Sequence, residues 1–139
     1  MLNLVKKYPC VIMFVRMNKG PEVKVTFYGG TGQVTGANFL LHIDPDSGGK
    51  GGIKILFDCG LVQGGKVGED TNRNPFPYKP SEIDYLIVSH AHIDHVGRIP
   101  KLVRDGFRGK IFSTPPTREV ADIMMLDSLG ILGKEAKHD

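Results

Sequence analysis

Cysteine is scarce in this 139-residue chain: Cys10 and Cys59 are the only two, far apart in sequence. Such a pair makes neither a disulfide-stapled scaffold nor the spacing of a zinc ribbon, so a reducing cytoplasm is the expected compartment. Long apolar runs are missing as well. The run Val11-Ile12-Met13-Phe14-Val15 falls far short of the ~20 residues that span a bilayer, and no membrane is expected as a partner. Lys6 and Lys7 before it give a crude signal-peptide outline, but no small-residue cleavage site comes after it. Residues 1–20 read as an N-terminal extension or a misassigned start, the second reading being an extra edge strand. Charge of one sign is also in short supply, since a net +3 is too small to define a partner. Hydrophobic residues at 40% and charged residues at 24% are ordinary globular values, in a chain of single-domain length that can bury a core.

Three common cofactor signatures are missing too. The stretch from Gly30 through Gly32 to Gly36 is one residue too long for a dinucleotide fingerprint. The glycines at 48–52 lack the spacing and the trailing Lys-Ser/Thr of a phosphate loop. Asp44, Asp46 and Gly48 look calcium-like for three positions and then run out of ligands. Each reads as turn chemistry.

What is present is Ser89-His90-Ala91-His92-Ile93-Asp94-His95, directly after the apolar run Tyr85-Leu86-Ile87-Val88. Apolar β-formers that stop at a sudden polar cluster read as a buried strand whose end delivers a site. A lone histidine is usually a satisfied core or surface residue. Three with an aspartate in such a short span are ligands in type for a borderline divalent ion such as zinc. His90 and His92 are two apart, which suits an extended or turning backbone and not the i, i+4 face of a helical zinc motif. Asp94 and His95 are adjacent and must diverge. The natural solution is two metals, His90 and His92 on one and Asp94 and His95 on the other. Metal pairs ~3.5–4 Å apart suit hydrolysis because they hold both the attacking and the leaving oxygen.

The rest of the chain reads as mixed α/β. Residues 22–28 alternate as a strand, 29–36 form a glycine-rich turn, and 38–43 with 53–57 suggest a hairpin. Residues 66–80, with Asn72, Asn74 and three prolines, read as a loop, and 85–89 as the strand leading to the histidines. Val96, Ile99, Leu102 and Val103 recur at helical spacing with Arg98, Lys101 and Asp105 opposite, so one amphipathic helix is expected, ended by Gly106. Pro100 is tolerated near its start. Residues 110–113 form a short strand. Thr114 as N-cap before Pro115 opens a second helix to about Leu129, with Gly130 and Gly133 loosening the chain beyond it.

The motif His-x-His-x-Asp-His after a hydrophobic strand resembles the hallmark of the metallo-β-lactamase fold. Residues 25–30, 34–38, Ile55-Leu56-Phe57-Asp58-Cys59-Gly60 and His95-Val96-Gly97-Arg98-Ile99-Pro100 resemble its β-CASP branch. That branch holds ribonuclease J-like enzymes and the endonuclease of messenger-RNA 3′ processing. The resemblance covers about residues 23–132. It implies the N-terminal half of an αββα sandwich, with residues 21–139 as a partial domain, and His90, His92, Asp94 and His95 as ligands of two zinc ions. Asp94 would also orient the attacking water, and Asp58 would brace the ligand loop by hydrogen bonds. Further ligands, the second layer and the RNA-clamping insertion of that branch are not found in this sequence. The resemblance also implies a ribonuclease acting on RNA phosphodiesters; a thioester or lactone hydrolase of the same fold and a non-catalytic truncated product are the alternatives. Homodimerisation is left open.

Charge placement adds a clue. Arg98, Lys101, Arg104, Arg108, Lys110 and Arg118 face Asp105 alone between positions 98 and 118. A cationic rim beside the metal motif would attract a phosphodiester, and Lys101, Arg104 and Arg108 are the expected RNA contacts. A solvated helix face is the plain alternative. Phe107 and Phe112 lie there, but not as the aromatic interleaving that stacks single-stranded bases.

Overall fold

A computed structural model describes the backbone of residues 11–16, 21–44 and 51–135, and side-chain surroundings for 21–44 and 51–126. Cys10, Asp46, Gly48 and His138 lie outside the described residues. Six strands form one sheet in sequence order: β1 (Val11–Arg16), β2 (Glu22–Gly29), β3 (Asn38–Ile43), β4 (Ile53–Phe57), β5 (Tyr85–Ile87) and β6 (Lys110–Phe112). The first four are antiparallel neighbours, as hairpin-length connections allow. The pairings of β4 with β5 and of β5 with β6 are parallel. Parallel neighbours need crossovers, and helices supply them. Helix α1 (Gly65–Arg73) lies in the first crossover, and α2 (Ile93–Val96) and α3 (Ile99–Arg104) lie in the second. Helix α4 (Pro115–Glu135) comes after the last strand. The mixed α/β architecture matches the expected partial sandwich. Residues 11–16 pair along β2 as an edge strand, the second of the two readings of that run.

The register explains where the core sits. Leu40, Leu56, Leu86 and Ile111 align across four strands. Leu56 and Leu86 are fully buried and join Ile83, Val88, Val96, Ile99, Leu102, Phe107 and Ala121 in one cluster under the helices. Burying each such large apolar side chain contributes about 1.5–3 kcal/mol. The other face carries Val25, Phe27, Phe39, Leu41, Ile55, Phe57, Tyr85 and Ile87, one residue out of phase, and none of these is buried.

Three expectations need correction. Residues 65–73 are helical, although Gly65, Gly68, Thr71 and Asn72 weaken the local propensity. Tertiary bonds override it: Asn72 is buried and exchanges two hydrogen bonds with Val62, its Oδ1 accepting from the Val62 N–H at 2.9 Å and its Nδ2 donating to the Val62 carbonyl at 2.8 Å. The expected single helix after the histidines is two, α2 and α3, broken at Gly97 and Arg98. Gly97 packs so tightly on Ile93 and Leu61 that no Cβ fits without displacement. Lys101 and Arg98 are buried and not on a solvated face, being 6% and 5% exposed. Both sit against the Phe76 ring, Lys101 Nζ at 4.2 Å and Arg98 Cζ at 5.3 Å from its centroid. The last helix begins as expected, with Thr117 N–H donating to Thr114 Oγ1 at 3.4 Å, and continues through Gly130 and Gly133 to Glu135.

Candidate metal centre

Strands β4 and β5 run parallel, so their carboxyl ends lie side by side at one edge of the sheet, the place where open α/β sheets carry their sites. The end of β4 delivers Asp58-Cys59-Gly60, and the end of β5 delivers Ser89 through His95. The two segments are laced together by backbone bonds. Asp58 N–H donates to the Ile87 carbonyl at 2.9 Å, Cys59 N–H to His95 at 2.8 Å, Leu61 N–H to Ile93 at 3.0 Å and Arg98 N–H to Cys59 at 2.9 Å. A third segment joins them, because Ala37 N–H donates to the Asp94 carbonyl and Gly60 N–H to the Ala37 carbonyl, both at 2.9 Å. Gly60 is required here: a Cβ on it would coincide with the Asp94 carbonyl. Arg98 Nε closes the lacing from below with a 2.6 Å bond to the Gly60 carbonyl.

Asp58 is buried at 4% exposure and adopts φ +56°, a left-handed conformation that aspartate tolerates better than most residues. Its Oδ1 accepts the Ser89 N–H at 2.8 Å, and its Oδ2 accepts both the Ser89 hydroxyl at 2.7 Å and His95 Nδ1 at 2.8 Å. These bonds tie the ends of β4 and β5 together. An ionised carboxylate can only accept, so His95 carries its proton on Nδ1 and, when neutral, a lone pair on Nε2. The same reasoning runs outward. Ser89 spends its proton on Asp58, so its oxygen accepts from His90 Nδ1 at 2.9 Å, leaving the His90 lone pair on Nε2. That nitrogen lies 3.2 Å from His92 Nδ1, which must then donate and place the His92 lone pair on Nε2. One buried carboxylate thus sets the tautomer of three imidazoles, as partners of ligating histidines commonly do.

His90, His92, Asp94 and His95 are brought together. The His90 ring lies 4.7 Å from that of His92 and 3.9 Å from that of His95, centroid to centroid, and His95 Nε2 stands 3.6 Å from Asp94 Oδ2. The donor types fit a zinc-like ion. Their convergence is pairwise: among the described residues no group of three or more His, Cys, Asp or Glu is arranged to hold an ion. The His90 ring meets His92 edge-on and His95 at a tilt, and His90 Nε2 is turned to His92.

Cys59 is completely buried, and burial pushes its thiol up to about 12, against which the nearby Arg98 charge is the weaker effect. It is a neutral packing residue, neither nucleophile nor ligand. Tyr78, which hydrogen-bonds to Cys59, is also raised well above its usual range, first by burial. His42 lies apart, bonded to the Gly51 carbonyl. The residues expected to touch RNA have partners of their own. Lys101 is buried with Nζ 2.6 Å from Asp105 Oδ2, Arg104 is exposed and reaches the same carboxylate at 2.9 Å, and Arg108 Nη1 donates to the Val103 and Phe107 carbonyls. Sequence reasoning gives Ser89 no role at the site and places Arg98 only in the cationic rim. Ser89 stands beside His90 in the motif, but its link to Asp58 spans the fold and has no local signature.

Comparison with known proteins agrees with this picture. Residues 49–107 match the model of the metallo-beta-lactamase superfamily. The chain is 37% identical over 110 residues to ribonuclease TTHA0252 of Thermus thermophilus, covering 79% of this chain and 23% of that protein. It is 38% identical over 125 residues to the transcription termination factor FttA of Methanosarcina mazei, covering 86% of this chain and 18% of the relative. With Integrator complex subunit 11 of Danio rerio it shares 31% identity over 114 residues, 77% of this chain and 18% of the relative. The chain therefore spans less than a quarter of the length of these relatives.

Proposed function

We propose, for a chain that belongs to the metallo-beta-lactamase superfamily and resembles its β-CASP branch, that it carries part of the active site of a metal-dependent hydrolase of RNA phosphodiesters. His90, His92, Asp94 and His95 would hold the metal, with two zinc ions as the expected complement. The observation that carries the reading is the Asp58–Ser89 network, which leaves the Nε2 lone pairs of His92 and His95 free and turns that of His90 to His92 Nδ1. Metal-ligating histidines almost always donate their other ring N–H to a carboxylate, a backbone carbonyl or water. Bound there, zinc would supply Lewis acidity to a phosphoryl oxygen and lower the pKa of a water. Asp94, half-buried beside His95, would orient that water by accepting a hydrogen bond from it. RNA is the proposed substrate because one relative is named a ribonuclease.

The experiment is metal analysis after dialysis against zinc, on the chain and on a His90→Ala/His92→Ala variant. We expect zinc in the first and a loss of at least half of it in the second. Equal content in both would remove these residues as ligands. For the longest gene product that contains this chain, single-stranded RNA is expected to be cleaved. Turnover of a thioester or lactone with RNA untouched would keep the superfamily and discard the substrate.

A further inference from the structure

Away from the histidines, a surface cavity of about 580 Å³ lies between the end of α1, the loop after it and α3. That volume is typical of a small-ligand pocket. Its charge is lopsided. Arg73, Lys79, Lys101 and Arg104 line it, against the single carboxylate of Asp105. Asp105 is already shared, bonding Lys101 Nζ at 2.6 Å and Arg104 Nε at 2.9 Å. Burial alone would raise the Asp105 pKa, but the bonds from these two cations hold it below the usual carboxylate value. Glu82, outside the lining, is divided between Lys79 at 3.2 Å and Lys54 at 2.5 Å. Among the lining residues cations therefore outnumber carboxylates. Phe76 and Tyr78 make an apolar wall, and low-dielectric walls focus such a field into the cavity.

The wall also narrows the ligand class. Phe76 stacks on Tyr78 with ring centroids 5.3 Å apart and carries Lys101 and Arg98 against its ring. A ring engaged in this way is poorly placed to stack a nucleobase. The outer cations reach into solvent by contrast, with the Lys79 and Arg104 side chains 79% and 71% exposed. The arrangement suits an anion gripped from several sides, not a planar apolar group.

We propose that this cavity is a phosphate subsite in which Arg73, Lys79 and Arg104 grip the backbone of single-stranded RNA outside the histidine cluster. It deepens the RNA reading above and rests on it for the source of the phosphate, a free nucleotide being the other source of the same chemistry. Of the cationic run after the histidines it keeps Arg104, while Lys101 is buried in the lining and Arg108 is turned to its own backbone.

The test is binding of a labelled oligouridylate to the chain across a salt series. The Arg73→Ala/Lys79→Ala/Arg104→Ala variant is compared with a Lys24→Ala/Lys66→Ala/Lys110→Ala variant that loses the same charge elsewhere. We expect about a tenfold loss or more for the first and less than about threefold for the second. The salt slope of the first should fall by about 2, since each phosphate contact on a single strand contributes about 0.7. A Lys79→Glu single variant, at a surface position that cannot disturb the core, should show the same direction. Equal weakening by both triple variants would overturn the subsite. Adenosine monophosphate is titrated in parallel. If the cavity variant loses its binding but not that of the oligonucleotide, the phosphate is a free nucleotide's and the RNA subsite is overturned. If no preparation cleaves RNA but oligonucleotide binding depends on the cavity, the hydrolase reading fails and the subsite stands. If cleavage depends on the histidines while the cavity variant binds normally, the subsite alone fails.

Discussion

Asp58 shows how much one side chain can decide. Its carboxylate accepts three hydrogen bonds from Ser89 and His95 while its backbone holds a left-handed conformation. Alanine in its place strands those donors and adds strain at φ +56°. Asp58→Ala should therefore lower stability by about 2–4 kcal/mol in urea unfolding. Asp58→Asn tolerates the backbone and keeps one acceptor, and should cost about half as much. Both should weaken zinc binding by about 10–100-fold in a chelator competition. An Asp58→Ala protein with unchanged stability and zinc affinity would show that the histidines hold their orientation without it. The aspartate is legible in sequence as a strand-end residue before a turn. Its partner Ser89 is not, because the bond joins residues 31 positions apart that only parallel pairing of β4 and β5 brings level.

Among the elements, the apposition of the 58–61 segment with the 92–98 turn leaves the least room. A Cβ at Gly60 collides with backbone that is itself hydrogen-bonded, so nothing flexible can yield. Gly60→Ala should therefore destabilise by more than about 3 kcal/mol or abolish folding, as overpacking against fixed backbone does. Gly32→Ala is the comparison. At φ +73° with nothing within 4 Å of its Cβ, it should cost only the ~1 kcal/mol of a left-handed alanine. Comparable thermal unfolding midpoints for the two would contradict the packing account. Helix α1 teaches the converse. Its glycines and polar residues argue against a helix locally, and Asn72 bonding to Val62 imposes one.

At the scale of the molecule, the sheet has one buried and one half-buried face among the described residues. Phe27, Phe39, Leu41, Ile55, Phe57 and Ile87 share the half-buried face, while Val120, Ile123 and Leu126 are exposed along α4. Apolar surface gathered in this way drives association. The chain at micromolar concentration should self-associate in sedimentation velocity, and the half-buried apolar face of the sheet should carry most of the effect. Phe39→Lys/Ile55→Lys should shift the distribution toward monomer, more than Ile123→Lys/Leu126→Lys. A wild-type chain that stays monomeric across that range would refute the assignment. Among the described residues, no helix is long and apolar enough to cross a membrane.

By itself the sequence determined what depends on neighbours along the chain. Alternation placed β2, the hairpin reading placed β3 and β4, Thr114 with Pro115 placed the start of α4, and the crowding of His90, His92, Asp94 and His95 singled out the candidate site. These are local signals of period, capping and ligand type, readable without a fold. Tertiary structure alone decided the rest. It set which imidazole nitrogen is free, because the proton count starts at an aspartate on another strand. It buried Arg98 and Lys101, which charge counting places in solvent, because an aromatic ring from a distant loop packs over both. And it gathered Arg73, Lys79 and Arg104 from separate elements around one cavity. Helical spacing tells which residues share a face, while burial depends on what the remainder of the chain lays against that face.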